Sequence, residues 1–185
     1  MEQNKTLCEF TNADSWVILS EIEQSIKRKI ESIGTPLKDW DIQINYGIKT
    51  GFNDAFIIST EKRNEILSNC RSDEERSRTE ELIRPILRGR DIKRYGYDWA
   101  NLWLIATFPS RHYDIEEYPA VKEYLLSFGM QRLEQTGKSY NVGATTVKAR
   151  KKTNNKWYET QDSISYWEDF SKPKIIYPET TQGAY

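Results

Sequence analysis

The sequence predicts an α+β fold in which a mixed β-sheet is flanked by helices. Apolar residues near the N-terminus recur with helical spacing, whereas the middle of the chain holds short apolar runs of strand length. Capping residues and prolines between those runs indicate further helices. The pattern contains no internal repeat, and the order of its elements favours an α+β arrangement.

The first predicted element is an amphipathic helix over about residues 14–33. Gly34 stands where a left-handed C-terminal cap belongs, and Pro36 stops the helix. Residues 1–11 have no period, and we expect a frayed end there. Residues 1–36 are therefore predicted to form a tail and a linker or packing helix. The helix carries one apolar stripe, made of Leu19, Ile22, Ile26, Ile30 and Ile33.

Five segments are predicted to be strands. Residues 41–45 alternate between polar and apolar, as a half-buried strand does. Residues 102–106 form a continuous apolar run, which is typical of a buried strand. The remaining strand predictions are residues 55–58, 91–95 and 174–177.

Three further helical segments follow from capping signals. Ser59 or Thr60 is expected to cap a helix that ends at Leu67, and Asp73 to cap another that ends near Leu82. Pro119 is placed at the first turn of a third. A short helical or turn segment is expected around residues 166–170. Residues 136–156 are rich in Gly, Ser, Asn and Lys, which predicts a long mobile loop.

Size and composition limit the class of protein. The chain has 185 residues, of which 37% are hydrophobic and 12% aromatic, so it can bury a core. No apolar run approaches the roughly 20 residues that cross a bilayer, and no secretory signal begins the chain. Cys8 and Cys70 form no C-x-x-C pair, which favours a reduced, cytoplasmic setting. The lone His112 cannot complete a zinc site with them.

The net charge is −1, but the cations are segregated. A one-faced anion binder would show such a distribution, although each basic run taken alone is also compatible with an ordinary solvated face. Acids concentrate elsewhere, as at residues 73–75 and 116–117. One cluster is Arg84, Arg88, Arg90, Lys93 and Arg94; the other is Lys148, Arg150, Lys151, Lys152 and Lys156.

Two glycine-containing stretches, residues 46–56 and 83–95, place cations or amides beside a flexible backbone. Lys49 in the first could meet a phosphate, or it could merely be exposed in a hairpin turn. Asn53 could read a base edge, although capping of the turn is the favoured role. In the second, Asp91 could orient one arginine and leave the others for phosphate.

Seven blocks of residues follow one another from about Leu37 onward: Trp40 and residues 48–56, 86–92, 103–105, 118–120, 157–159 and 172–178. In this order they resemble a known family, the TaqI-like C-terminal specificity domain of type IIG restriction-modification enzymes and adenine-specific DNA methyltransferases.

The resemblance implies a domain that docks in the major groove of double-stranded DNA and selects the methylation site. Residues 37–185 would form this target-recognition domain, truncated at its C-terminus. A separate N-terminal domain of the parent enzyme would bind S-adenosylmethionine and methylate adenine N6, with Mg²⁺ for any cleavage. No Asn-Pro-Pro-Tyr or Asp-Pro-Pro-Tyr motif occurs here, so this chain itself is expected to hold no cofactor and to catalyse nothing.

We therefore predict a set of DNA-contacting residues. Phosphates would be engaged by Lys49, Arg88, Arg90, Lys93 and the cations of residues 148–156, and residues 136–156 would act as a basic flap that orders on the backbone. Base edges would be probed by the 47–53 loop and the flap. The predicted set is Lys49, Thr50, Asn53, Arg88, Arg90, Lys93, Arg94, Lys148, Arg150, Lys151 and Lys152.

Two other functions compete with this interpretation. A protein-interaction module would dock through the 14–33 helix, with exposed aromatics as anchors. An autonomous metal-dependent nuclease would have to assemble Asp54, Glu159 and Lys174, a set that no spacing in the sequence demands.

Overall fold

A computed structural model describes residues 18–178 of the chain. It divides into two compact units, with the boundary between Asn45 and Tyr46. The helices are α1 Glu21–Ile33, α2 Asn53–Phe56, α3 Thr60–Ser68, α4 Asp73–Leu82, α5 Pro119–Leu126 and α6 Met130–Leu133. The strands are β1 Ile57–Ser59, β2 Ile83–Pro85, β3 Ile92–Lys93, β4 Gly96–Tyr97, β5 Leu102–Ile105, β6 Ser139–Val142 and β7 Thr145–Lys148.

The smaller unit contains α1, whose start is fixed by a capping box. The Ser20 hydroxyl accepts a bond from the Glu23 amide at 3.4 Å, and the Glu23 carboxylate accepts one from the Ser20 amide at 2.8 Å. The predicted helix thus begins at Glu21; residues 14–17, like the predicted frayed end, lie outside the described residues. None of its residues is buried, and the isoleucine stripe is exposed.

Two predictions for this unit are wrong. Gly34 has an extended backbone with φ −82°, not a left-handed one. A glycine is needed here because the backbone approaches the end of α1 closely: a Cβ added at Gly34 would lie 2.7 Å from the Ile30 carbonyl oxygen. Residues 41–45 form no strand and are exposed. An alternating pattern makes a strand only beside a partner, and the described part of this unit, residues 18–45, contains none.

The larger unit is built on a three-stranded sheet in the order β1-β5-β2. Both pairings are antiparallel, with Ile58 opposite Trp103 and Arg84 opposite Leu104. The predicted α+β class is confirmed. The predicted mixed sheet is wrong, because every sheet among residues 18–178 is antiparallel. The predicted buried strand at 102–106 is the central one, because only the central strand is paired on both edges. The predicted strand over 55–58 is shifted, since α2 occupies residues 53–56.

Helices pack on this sheet through a core that includes Phe56, Leu104, Ile105, Val121 and Leu125. Burial of such side chains is worth about 1.5–3 kcal/mol each, which makes this core the main source of stability.

The predicted helix starts are close to those observed. Ser59 caps α3 by accepting the Lys62 amide at 3.3 Å, as predicted. Ser72, one residue before the predicted Asp73, caps α4. Buried Glu75 accepts the Arg71 amide at 2.8 Å and the Ala120 amide at 2.9 Å, which ties α4 to the start of α5.

The predicted mobile loop over 136–156 is wrong in its first half. Residues 139–148 form the antiparallel pair β6–β7, with Val142 opposite Thr145 and Gly143 in the turn at φ +60°. Most of the strand residues are exposed and polar, so composition alone suggested a loop. We call this pair the β-ribbon.

Two other strand predictions are modified. The predicted strand over 91–95 is reduced to β3, which pairs with β4 across a turn that holds Tyr95 at φ 63°. Residues 174–177 form no strand.

Candidate nucleic-acid interface

The 47–53 loop is fixed by its own polar side chains. Buried Thr50 donates its hydroxyl to the Asn53 side-chain oxygen at 2.7 Å and accepts the Phe52 amide at 3.1 Å. Gly51 takes φ +76°, and a Cβ there would lie 3.1 Å from Gln161. The prediction that Thr50 contacts DNA is corrected, because its hydroxyl is buried and already bonded. Asn53 and Lys49 remain exposed.

Arg150 holds this loop against the rest of the unit. Its guanidinium is buried and donates to four backbone carbonyls: Leu133 at 2.8 Å, Thr50 at 3.0 Å, Glu159 at 2.8 Å and Trp157 at 2.7 Å. A side chain with its donors thus engaged is not available to a phosphate. The predicted DNA contact of Arg150 is therefore corrected to a structural role.

The burial of Arg150 has an electrostatic consequence. Desolvation lowers the pKa of its guanidinium to about 10, with the Glu159 carboxylate acting in the opposite direction. The group is still charged at neutral pH. Its centre also lies 5.0 Å from the Phe56 ring, a distance suited to a cation–π contact.

Lysines flank Arg150 on both sides in sequence, and unlike it they are exposed. Lys148 ends β7, and Lys151 and Lys152 follow the arginine. The Gly137 amide donates to the Arg150 carbonyl at 2.8 Å, and the Ala149 amide donates to the Lys138 carbonyl at 2.9 Å. The folded chain therefore brings Lys138 beside this basic segment.

Two cations in this region were missed by reasoning from the sequence. Lys138 lies opposite residue 149 only because 139–148 is a hairpin, which the composition concealed. Arg132 places its guanidinium 4.6 Å from the centre of the Phe52 ring, next to the 47–53 loop. We define the basic cluster as Lys49, Arg132, Lys138, Lys148, Lys151 and Lys152.

No member of the basic cluster forms an ion pair with an acid within residues 18–178. Elsewhere lysines are neutralised: Lys62 by Glu65, Lys122 by Glu116 and Lys172 by Asp169. Cations without intramolecular partners are those that an external anion can engage without displacing a carboxylate.

The β-ribbon adds polar groups beside these cations. Tyr140 and Val147 are partly buried on one face, and because side chains alternate along a strand the other face is exposed. On that exposed face the Thr146 hydroxyl donates to the Asn141 side-chain oxygen at 3.3 Å. The exposed face consists of Ser139, Asn141, Thr146 and Lys148.

The second predicted cluster, at residues 88–94, is partly neutralised. Arg88 donates to both carboxylate oxygens of buried Asp91, at 3.0 Å and 2.8 Å. These hydrogen bonds lower the pKa of Asp91. The prediction that Arg88 contacts DNA is corrected for that reason, whereas Arg90 stays exposed.

The end of this stretch forms an exposed turn between β3 and β4. The Lys93 ammonium lies 3.8 Å from the Asp98 carboxylate, and the Arg94 guanidinium lies 5.2 Å from the Tyr95 ring centre. Tyr95 is 95% exposed. The Asp98 amide donates to the Asp91 carbonyl, and the Ile86 amide donates to the Leu102 carbonyl. Among the described residues, no such backbone bond joins this stretch to the 47–53 loop.

Further observations concern the acids and the helices of the described residues. No group of three or more His, Cys, Asp or Glu within residues 18–178 is arranged to hold a metal ion. Glu159, one of the acids considered for a nuclease, is buried and accepts the Lys156 amide at 2.7 Å. Across the same residues, no helix combines the length and the apolarity required to pass through a bilayer.

No protein-family model matches the chain, and no curated protein sequence matches it.

Proposed function

We propose that this chain recognises double-stranded DNA, as a target-recognition domain of the TaqI-like type that serves an adenine-N6 methyltransferase of the type IIG restriction-modification class. The observation that carries DNA binding is the basic cluster, whose cations have no acidic partner among the described residues. The family assignment is carried by the ordered sequence blocks, among them residues 48–56 and 86–92.

In the proposed complex the basic cluster and the exposed Arg90 contact phosphates and set the position of the domain on the duplex. The β-ribbon lies in the major groove, which is wide enough for a two-stranded ribbon. Its exposed Asn141 and Thr146 face the base edges, where an amide and a hydroxyl can form hydrogen bonds. Arg150 does not touch DNA in this arrangement; it fixes the 47–53 loop beside the ribbon.

The proposed domain selects a site and leaves the chemistry to another part of the enzyme. Methyl transfer requires a separate methyltransferase domain that binds S-adenosylmethionine, and cleavage requires a Mg²⁺-dependent nuclease domain. Those domains are the proposed protein partners, in the cytoplasm where bacterial DNA lies.

The proposal is tested by the salt dependence of binding to random-sequence duplex. Each phosphate contact contributes about −0.9 to the slope of log K against log salt concentration. Replacement of Lys148, Lys151 and Lys152 together by Ala should make that slope shallower by about 2.7 and weaken binding at low salt. Fluorescence anisotropy over a series of salt concentrations measures both.

The matched control replaces Lys62, Lys122 and Lys172, which removes the same charge from lysines that already have acidic partners. Its slope should stay close to that of the unmodified chain. Equal slopes for the two triple variants would show that the change in slope depends on net charge alone, and would overturn the proposed interface. A flat salt response of the unmodified chain would overturn phosphate binding altogether.

A second candidate function rests on α1. Its isoleucine stripe is exposed, with Ile22 at 74% and Ile33 at 78%, and a continuous apolar face of this kind marks an interaction surface. The proposed alternative is a protein-interaction module that self-associates through α1. Size-exclusion chromatography tests it: association should disappear when residues 1–34 are deleted, and a monomeric full chain would rule it out.

A further inference from the structure

A cleft of about 460 Å³ opens in the larger unit, between the segment around Tyr46–Lys49 and the segment of residues 153–166. Its volume lies in the range of about 300–1,000 Å³ that is typical of sites for small organic ligands. None of the predicted DNA contacts except Lys49 lines it.

Two tyrosines line the cleft. The Tyr166 hydroxyl donates to the Tyr46 carbonyl oxygen at 3.1 Å, which connects the two sides. Tyr166 also packs against Phe170, with ring centres 5.9 Å apart. Tyr46 is 78% exposed. The Tyr166 ring, held by these two contacts, supplies flat apolar surface to a planar ligand.

Some polar side chains of the cleft can still form hydrogen bonds or ion pairs with a ligand. The Asp162 amide donates to the Lys49 carbonyl at 3.3 Å, so the two residues are neighbours, yet neither side chain has an ion-pair partner within residues 18–178. Asn155 donates from its amide nitrogen to the Thr160 and Gln161 carbonyls, at 3.1 Å and 2.8 Å. Its side-chain oxygen is left as an acceptor.

The cleft is also lined by a strained residue. Ile164 is buried with φ 50°, a left-handed conformation that a β-branched side chain rarely adopts. Ser110 holds it in place: its hydroxyl donates to the Ile164 carbonyl at 2.9 Å, and its amide to the Ser163 carbonyl at 3.2 Å. Strained backbone of this kind concentrates at functional sites.

We propose that this cleft binds a single unstacked nucleotide whose base carries an exocyclic amino group, with adenine as the reference case. The tyrosines stack on the base, Lys49 pairs with its phosphate, and the Asp162 carboxylate and Asn155 side-chain oxygen accept from the amino group. Thymine lacks an exocyclic amino group, and its single ring N–H cannot pair with both acceptors, so at least one acceptor is left unpaired. The inference deepens the proposed function, because DNA would supply the nucleotide, but the cleft could equally take a free one.

The test measures binding of the full chain to three duplexes by fluorescence anisotropy: fully paired, with one unpaired adenine, and with one unpaired thymine. The unpaired adenine should raise affinity about tenfold over the paired duplex, the gain expected from stacking and hydrogen bonding of one base, and the unpaired thymine, which stacks but has no amino group, should raise it less. Free adenosine 5′-monophosphate, titrated separately, shows whether the nucleotide must be part of a strand.

Asp162→Ala should remove the preference for adenine over thymine. Glu168→Ala, which removes the same charge from an exposed residue outside the cleft, should keep the preference. Equal affinity for all three duplexes together with no binding of the free nucleotide would overturn the cleft and leave duplex recognition standing. Binding of the free nucleotide without any duplex binding would support the cleft and overturn the proposed function instead.

Discussion

Arg150 and Thr50 are 100 residues apart in sequence, yet the guanidinium of the first donates to the carbonyl of the second at 3.0 Å. This bond joins the middle of the 47–53 loop to the segment that follows the β-ribbon. The glycine-containing loop and the basic segment at residues 148–152, which are separate in the sequence, are in this way held together in the fold.

Arg150→Met should lower the free energy of unfolding by about 3 kcal/mol, because several buried carbonyls lose their donor at once and each unpaired group costs about 1–3 kcal/mol. Urea denaturation followed by tryptophan fluorescence measures the change. The neighbouring Lys151→Met alters an exposed residue and should shift stability by no more than about 0.5 kcal/mol. Similar losses in both variants would contradict the structural role of Arg150.

Arg88 and Arg90 should behave differently although they are two positions apart. Arg90→Ala should reduce the salt slope of DNA binding by about 0.9, the contribution of one phosphate contact. Arg88→Ala should leave the slope unchanged and destabilise the fold, because Arg88 is engaged by Asp91. The combination of binding and denaturation assays separates the two effects, and the reverse pattern would show that the Asp91 pair opens on DNA.

The Arg88–Asp91 pair should also contribute to acid sensitivity. The pKa of Asp91 is lowered in the folded state, chiefly by its hydrogen bonds from Arg88, so the pair stabilises the protein above the ordinary carboxyl pKa. That stabilisation is lost as pH falls through the lowered pKa. The stability difference between the unmodified chain and Arg88→Met should therefore be constant from pH 8 to about pH 5 and shrink below about pH 4. Denaturation midpoints across that range measure this difference. A difference that stays constant at all pH values would show that the ionised Asp91 carboxylate is not its source.

Asn141→Ala should change which DNA sequences bind without changing the salt slope, because an amide on the ribbon reads bases and carries no charge. Selection from a random duplex library before and after the substitution measures the change. Lys148→Ala serves as the contrast, since loss of a phosphate contact should weaken all sequences about equally. Identical sequence preferences for Asn141→Ala and the unmodified chain would remove the ribbon from base recognition.

Glu75→Gln should destabilise the larger unit by about 1–3 kcal/mol, since a buried carboxylate that accepts two backbone amides is replaced by a weaker acceptor. Thermal unfolding gives the change. Glu74→Gln, on an exposed position of the same helix turn, is the matched control and should have a much smaller effect.

Local signals predicted the elements that local chemistry determines. Ser59 caps α3 and Pro119 begins α5, because each depends on residues close by in sequence. The continuous apolar run at residues 102–105 also predicted a strand, although that strand pairs with β1 and β2, which lie elsewhere in the sequence. The strands at 41–45 and 174–177 were predicted in error because a strand also needs a partner, which alternation does not supply.

The candidate site was harder to predict for the same reason. Nothing local distinguishes Arg150 from Lys151, since burial of the first depends on carbonyls from three distant segments. The β-ribbon was missed because its apolar residues are few and lie on one face only, so the sequence shows no clear strand pattern. Lys138 was missed for the same reason. Lys49 is exposed on its glycine-bounded loop, and its predicted contact with DNA stays a prediction.

The acceptors of Arg150 are all main-chain oxygens, a group that every amino acid carries. Residue types around this anchor can consequently change without removing any of its partners. A scaffold secured in that manner tolerates mutation of its outward side chains, which is the freedom a recognition surface needs in order to acquire new target sequences while its framework stays the same.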